Sequence, residues 1–139
     1  MGEIRVHTPK GETLSAELYE EEAPEPCRAF LALLPTRIRL FHARFAGEEV
    51  FTEEGPLLEV PLENASSRLE VGEMGAFAWS PRSPKGFKGG IIVVYGVASL
   101  IGCPNVFSRV VERDLGTLRE VGLRLWKKSA EEFLFEKES

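Results

Sequence analysis

The residues best suited to chemistry are His42 and Arg44, two positions apart. An imidazole can donate or accept a proton near neutral pH, and a guanidinium can bind an anion or a carbonyl oxygen. The segment Arg37 to Phe45 is predicted to form a strand, in which residues two apart share a face. His42 and Arg44 would then lie beside Ile38 and Leu40 on a largely apolar face. Charged residues on such faces point to a ligand pocket.

Each residue of this candidate pocket also has a structural interpretation. Arg44 could instead form an ion pair with Glu48 or Glu63. The pair Glu63-Asn64 could face the pocket from a loop, or it could form a turn, since asparagine tolerates the left-handed conformation. Tyr95 ends an apolar strand, where it could line the pocket or belong to the core with its hydroxyl in contact with water.

Other reactive groups are few. Cys27 is predicted at an apolar position in the first turn of a helix, which is typical of a buried thiol, and Cys103 lies in a loop. Their spacing is not that of a zinc site, and two histidines with one aspartate leave little for a hydrolytic triad. We therefore expect no metal site and no cofactor. The cationic loop from Ser80 to Gly90 is either a lid for an anionic ligand or a solvated loop.

Hydrophobic alternation predicts short strands around two helices. Ile4 and Val6 would pair with Leu14 to Leu18, and a following helix would end at Pro35. Asp114 would N-cap a second helix whose inner face carries Leu115, Leu118, Val121 and Leu125. Further strands are predicted at Glu49–Phe51, Gly75–Trp79, Ile91–Tyr95, Val106–Val111 and Phe133–Phe135. About eight strands in a single domain over residues 1–139 indicate a barrel or sandwich whose helices could close a barrel's ends.

Composition narrows the class of partner. A chain of 139 residues with a net charge of −5 offers no general attraction to nucleic acid or to an anionic membrane. No apolar run approaches the roughly 18 residues of a membrane span, and the first residues do not resemble a signal peptide. With two cysteines, we expect a reducing, cytoplasmic setting. The absence of glutamine and the presence of only two asparagines favour a thermophilic source.

Three passages make the chain resemble the cyclophilins. AELYEEEAPEPCRAFLALL resembles the strand, acidic turn and Ala-Pro that lead into the first cyclophilin helix, and RLFHARF resembles the Phe-His-Arg strand. NVFSRVVERDLGTLREVG is similar to the Val-Phe-Gly-Lys-Val-Val-Glu-Gly strand that runs into the second helix. Their order and spacing imply a closed, mainly β, cyclophilin-like barrel of about eight strands with two helices.

The departures from the cyclophilin pattern concern its activity. In active prolyl isomerases the catalytic arginine directly follows the histidine, whereas here Ala43 stands between His42 and Arg44. A shift of one residue in a strand moves a side chain to the opposite face. The chain also contains no glutamine to match the one that orients the substrate in the family. The resemblance therefore implies the fold without the typical isomerase site.

The same departures resemble a bacterial branch of cyclophilin-like proteins of unknown function. That branch carries a His-Ala-Arg-aromatic-x-Gly-Glu motif, a Glu-Asn pair, a Tyr-Gly pair and an Asn-x-Phe motif, all of which this chain matches. The resemblance implies a ligand site rather than a reaction. The candidate site residues are His42, Arg44, Glu48, Glu63, Asn64, Tyr95, Asn105 and Phe107.

Three functional hypotheses follow. The first is a domain that binds a small molecule or short peptide near Arg44 and has lost typical prolyl isomerase activity. The second is a divergent enzyme, either a weak prolyl isomerase or one acting on a small metabolite, with Arg44 polarising a carbonyl and His42 or Glu63 as acid or base. The third is a homo-oligomeric interaction protein that pairs exposed strand edges between subunits.

Overall fold

The computed structural model describes residues 2–44, 46–52, 56, 58–77, 90–100, 102–128 and 130–138. The predictions made for Trp79 and for the loop before Gly90 lie outside these residues. The described residues form eight antiparallel strands that close into a barrel in the order β1-β2-β7-β5-β6-β4-β3-β8. The strands are β1 (Glu3–His7), β2 (Thr13–Leu18), β3 (Thr36–His42), β4 (Gly47–Phe51), β5 (Glu73–Phe77), β6 (Gly90–Ala98), β7 (Asn105–Val110) and β8 (Ala130–Lys137), and the α-helices are α1 (Pro24–Leu33) and α2 (Leu115–Lys128). The predicted barrel of about eight strands with two helices is confirmed.

The first hairpin shows how the alternation in the sequence builds the barrel. Ile4 pairs with Ala16 and Val6 with Leu14, and all four side chains are buried in the core. Their neighbours along each strand are more exposed, as expected for strands with one face on the core. Gly11 allows the connecting turn because its φ of +91° is a conformation that favours glycine.

Helix α1 packs its apolar face against the barrel. The ring of Phe30 lies 4.9 Å from that of Phe107 and 5.8 Å from that of Phe135. Cys27, on the same face, donates its Sγ–H to the carbonyl of Phe107 at 3.3 Å. Burial raises the pKa of this thiol to about 12, so it stays protonated at neutral pH, as expected of a buried structural cysteine.

Helix α2 packs against β3, β4 and β6. Leu118, Val121 and Leu125 are buried as predicted, while Leu115 is only partly buried. The predicted N-cap is wrong. Asp114 ends a 3-10 turn (Glu112–Asp114) directly before α2, and its carboxylate accepts the amide of Ser15 on β2 at 2.8 Å. This hydrogen bond from Ser15 therefore connects the start of α2 to the barrel wall.

The strand predicted to run from Arg37 to Phe45 ends at His42. The carbonyl of Ala43 accepts the amide of Ala46 at 2.8 Å and that of Gly47 at 3.2 Å, which closes a turn into β4. Arg44 therefore lies in the turn with an exposed side chain, and does not share the strand face of His42.

No helix among the described residues is long and apolar enough to cross a membrane.

Candidate functional site

The structure divides the predicted site residues into two groups. The first, here called the His42 cluster, lies where α2 packs on the ends of β3, β4 and β6. It comprises the predicted residues His42, Arg44, Glu48 and Tyr95, and two residues of α2, Arg119 and Trp126.

The centre of the cluster is a hydrogen bond between His42 and Tyr95. The Nε2 atom of His42 lies 2.5 Å from the Tyr95 hydroxyl, and the two rings meet edge to face at 5.6 Å. Tyr95 is 1% exposed and packs against Gly122 of α2, where an added Cβ would lie only 2.2 Å from the ring. Tyr95 is thus a core residue whose hydroxyl is satisfied by a histidine.

The other ring nitrogen of His42 is an unpaired buried polar atom. Its Nδ1 is buried and has no hydrogen-bond partner among the described residues. Burial, together with the positive charge of Arg44, lowers the pKa of His42, which favours a neutral ring at neutral pH. Burial also raises the pKa of Tyr95, which keeps its hydroxyl protonated. If that hydroxyl donates to Nε2, the ring proton of His42 lies on Nδ1 and needs an acceptor.

Arg44 and Trp126 lie outside this pair. The Trp126 ring meets the His42 ring edge to face at 4.5 Å, and the guanidinium carbon of Arg44 lies 5.2 Å from the centre of the Trp126 ring. Trp126 is 38% exposed. The arrangement is a cation on an aromatic ring at the protein surface, directly beside a partly buried imidazole.

The ion pair considered for Arg44 is not found among the described residues. Glu48 instead pairs with Arg119 of α2 at 3.2 Å and accepts the amide of Val97 at 2.9 Å. These contacts lower the pKa of Glu48, the hydrogen bond from Val97 having the largest effect. Glu48 is therefore an anion that links α2 to β6, and none of the described glutamates forms an ion pair with Arg44.

The tautomer of His42 can be measured directly because the chain has two histidines. In protein labelled with ¹⁵N in the histidine rings, we expect His42 to be neutral at pH 7, to carry its proton on Nδ1 and to titrate below 6.5. His7, which contacts Thr13 and Glu136, is the internal reference signal. Tyr95→Phe should release the preference for Nδ1, since it removes the donor to Nε2. A proton on Nε2 in the wild-type ring would contradict this assignment.

The second group of predicted residues forms a hydrogen-bonded turn beside β7. Asn105 accepts the amide of Glu63 at 2.9 Å and donates to the carbonyl of Pro61 at 3.1 Å. The Glu63 carboxylate accepts the amide of Glu25 in the first turn of α1 at 2.9 Å. These contacts tie the 61–64 segment to β7 and to α1.

The remaining two residues of this group are also structural. Asn64 has a φ of +54° and donates to the carbonyl of Val106 at 2.8 Å, which confirms the turn interpretation of Glu63-Asn64. Phe107 is fully buried against Phe30. Among the described residues, no hydrogen bond, ion pair or ring contact joins this group to the His42 cluster. The contacts therefore separate the predicted residues into the His42 cluster and a second group that is hydrogen-bonded around the 61–64 segment.

Sequence reasoning missed the contribution of α2 to the site. Arg119, Gly122 and Trp126 follow one another at intervals of three and four residues, the spacing that puts side chains on one helix face. The sequence signal for this contribution was a glycine flanked on that face by a cation and a large aromatic residue. Nothing in the sequence, however, showed that this face would lie against the end of β3.

Comparison with protein families gives one match. A family model described as a protein of unknown function, DUF3830, matches residues 8–136. No curated protein shows significant similarity to the chain.

Solved structures show the same fold at low sequence identity. McbB, solved in complex with tryptophan, superposes with a TM-score of 0.78 and 20% identity over 98% of this chain. This chain spans 45% of McbB. The hypothetical protein AF2241 from Archaeoglobus fulgidus gives a TM-score of 0.61 at 22% identity, covering 99% of this chain and 95% of that one.

A cyclophilin is among these structural neighbours. The cyclophilin-type peptidyl-prolyl cis-trans isomerase from Cryptosporidium parvum, solved in the presence of the dipeptide Ala-Pro, gives a TM-score of 0.58 at 17% identity. The alignment covers 99% of each chain. The cyclophilin-like fold expected from the sequence is thereby confirmed.

Proposed function

Because this chain belongs to the DUF3830 family of proteins of unknown function, we propose a function from its own site: it binds a small carboxylate-bearing molecule or short peptide at the His42 cluster. A carbonyl or carboxylate oxygen of the ligand accepts a hydrogen bond from His42 Nδ1. A negatively charged group of the ligand contacts Arg44, and an apolar part lies on Trp126. Typical prolyl isomerase activity is absent.

The observation that carries this proposal is the unpaired Nδ1 of His42. A buried donor without an acceptor costs about 1–3 kcal/mol, so such groups are rare unless a ligand or water completes them. The neutral ring is a donor that recognises an oxygen acceptor without requiring a full charge on it. A ligand oxygen at this atom would recover the cost of leaving the donor unpaired.

The exposed part of the cluster supplies the second half of the recognition. Arg44 has no carboxylate partner among the described residues, so its guanidinium is free to bind an anion. Trp126 and Arg44 are the side chains stacked outward from His42. A rotation of either one would open the way from solvent to Nδ1, and the ligand would then replace the contact between them.

Two structural neighbours support the class of ligand. McbB was solved with tryptophan, and the Cryptosporidium isomerase was solved in the presence of Ala-Pro. A free amino acid and a free dipeptide share a carboxylate next to an apolar side chain. We propose that this chain recognises the same combination of groups.

Tryptophan and Ala-Pro are the first probes for this site. We expect either to shift the His42 ring signals in the labelled protein, and Arg44→Ala to weaken binding about tenfold, since a charge-assisted hydrogen bond is lost. Arg37→Ala is the matched control, because it removes the same charge from an exposed residue of β3. Equal affinity in the wild type and in Arg44→Ala would reject the site.

The short hydrogen bond between His42 and Tyr95 favours a second candidate, a divergent enzyme in which His42 transfers a proton. Arg44 would polarise the substrate carbonyl. A prolyl isomerase assay on a Xaa-Pro peptide tests one form of it, because uncatalysed isomerisation takes tens of seconds and weak catalysis is visible. Activity that persists when both His42 and Arg44 are replaced by alanine would reject this mechanism.

A further inference from the structure

In the described part of the chain, the end of β6 beyond Val93 has an open edge. On one side β6 pairs with β5 only from Gly90 to Val93, after which Gly72 alone continues the contact by donating its amide to the carbonyl of Val94 at 2.7 Å. On the other side, β6 remains paired with β4 as far as Ala98. Among the strands that the structure describes, the last residues of β6 therefore have a partner on one side only.

The hydrogen bonds to the β4 side fix which backbone groups face the open edge. Ser99 donates its amide to the carbonyl of Ala46 at 2.7 Å, so the adjacent pair Ala98 and Gly47 is of the non-hydrogen-bonded kind. The amide and carbonyl of Ala98 consequently point away from β4. Val97 directs its amide to Glu48, so Gly96 likewise presents its amide and carbonyl to the open side. Two donor–acceptor pairs thus project at the two-residue interval of a strand ladder.

A groove lies along this edge. Its volume is about 830 Å³, and its walls are residues 67–71 and 96–100 together with Arg109. The 67–71 wall is anchored at both ends, because Ser66 donates its amide to the carbonyl of Pro104 at 3.1 Å and Gly72 bonds to Val94. The groove is therefore preformed, and the two walls do not pair with each other in the strand register.

The charges of the groove differ in sign from the protein as a whole. Arg68 and Arg109 line it with one acid, Glu70, whereas the chain has a net charge of −5. The pair between Arg109 and Glu70 is 3.6 Å long and both side chains are largely exposed, so it is weak and readily exchanged. Val97, which is 83% exposed, adds an apolar side chain at the rim.

We propose that this groove binds an extended acidic peptide, which adds a strand to the free edge of β6. The peptide backbone would pair with Gly96 and Ala98, as in other cases where a peptide extends a sheet edge. Acidic side chains of the peptide would contact Arg68 and Arg109, and an apolar side chain would cover Val97. This site is separate from the His42 cluster and does not depend on the function proposed there.

The probe is the blocked peptide acetyl-Val-Glu-Val-Glu-Val-amide, added to ¹⁵N-labelled protein. We expect the largest amide shifts at Gly96 and Ala98, and affinity at least about fivefold weaker for the matched Val-Lys-Val-Lys-Val peptide. A Val-Glu peptide with alternate amides N-methylated on its pairing edge should not bind, because it cannot complete the ladder. Equal binding of all three peptides, or shifts confined to another surface, would overturn the proposal.

Two variants extend the test to the protein. Ala98→Pro removes the amide facing the groove while leaving the bond from Ser99 to Ala46, and it should abolish peptide binding. Arg68→Glu should weaken binding about fivefold relative to the control Arg113→Glu, because Arg113 is exposed and lies outside the groove. This comparison remains valid even if Ala98→Pro does not fold. Light scattering of the protein alone completes the test. A dimer that dissociates in Ala98→Pro would mean that a second copy of the chain, and not a peptide, pairs with this edge, and it would overturn the proposal.

Discussion

Replacing Arg124 with methionine is expected to lower the free energy of unfolding by about 2 kcal/mol at pH 7, between the cost of breaking a buried ion pair and that of a surface pair, because it leaves two partly buried carboxylates without their hydrogen-bonded cation. Arg124 donates to Glu12 at 2.7 and 3.1 Å and to Glu131 at 2.5 Å through two nitrogens. Its side chain is 14% exposed. The three residues join α2 to the β1–β2 turn and to the start of strand β8.

The size of this effect should depend on pH. Hydrogen bonding to Arg124 is the main cause that lowers the pKa of Glu12 below its ordinary 4.5. A carboxylate whose pKa is depressed in the folded state stabilises it above the unfolded pKa and loses that contribution as the pH falls through the folded value. The difference between wild type and Arg124→Met should therefore be largest near pH 7 and should shrink below about pH 4.5.

Denaturant unfolding of both proteins at pH 7 and at pH 3.5 measures these differences. Arg119→Met is the control on the same helix, because Arg119 is 51% exposed and its one ion pair among the described residues is with Glu48. A surface pair of that kind contributes about 0–1 kcal/mol. Equal losses in the two variants, or a loss in Arg124→Met that does not change with pH, would contradict a stabilising, partly buried ion-pair network.

Local patterns in the sequence were sufficient to predict the barrel. Two patterns predict strands. The alternation at Ile4, Val6 and Leu14 is typical of strands with one buried face, and the continuous apolar run of β6 is typical of a strand that is buried on both faces. The buried side of α2 was predictable for the same reason, from Leu118, Val121 and Leu125.

The errors arose where a polar group had a choice of partners. The side chain of Asp114 is suited to capping its own helix, but its carboxylate instead accepts the amide of Ser15 from a strand distant in the sequence. The alternation includes Arg44 and therefore predicts too long a strand β3. In the structure β3 ends at His42, because the carbonyl of Ala43 accepts hydrogen bonds that close a turn. In both cases the competing partner comes from tertiary structure or turn geometry that alternation does not encode.

The candidate site was predictable only in part. His42 and Tyr95 were selected as polar residues in apolar strands, and they are in direct contact. Glu63 and Asn105 were selected as members of the same pocket, but their side chains satisfy backbone groups of a turn and of α1. Residue type indicates that a polar group needs a partner, and only the fold determines whether that partner is a ligand, a side chain or the backbone.

Glu49 is not among the predicted site residues, although among the described acids it combines near-complete burial with an unpaired carboxylate oxygen. Its neighbour on β4, Val50, pairs with His42 and Val93 on the core side of the wall, so Glu49 faces outward beside Val94. Glu49 is nevertheless 3% exposed, and its Oε1 has no hydrogen-bond partner among the described residues. Burial alone raises the pKa of this carboxyl to about 7.

A raised carboxyl pKa makes the folded state less stable as the pH rises. Below pH 4.5 both states hold the proton; between 4.5 and 7 only the folded state keeps it, so the free energy of unfolding falls by about 1.4 kcal/mol per pH unit. The total loss by pH 8 is about 3 kcal/mol. Above the folded pKa the contribution of Glu49 should stay constant.

Glu49→Gln should remove this slope, because glutamine has the same shape and no proton to release. Unfolding measured by urea between pH 4.5 and 8 should therefore decline by about 3 kcal/mol less in Glu49→Gln than in the wild type. Glu17→Gln, at an exposed position of β2, is the matched control and should leave the slope unchanged. Parallel slopes in the wild type and in Glu49→Gln would mean that the carboxyl is hydrated in solution and ionises near its ordinary pKa.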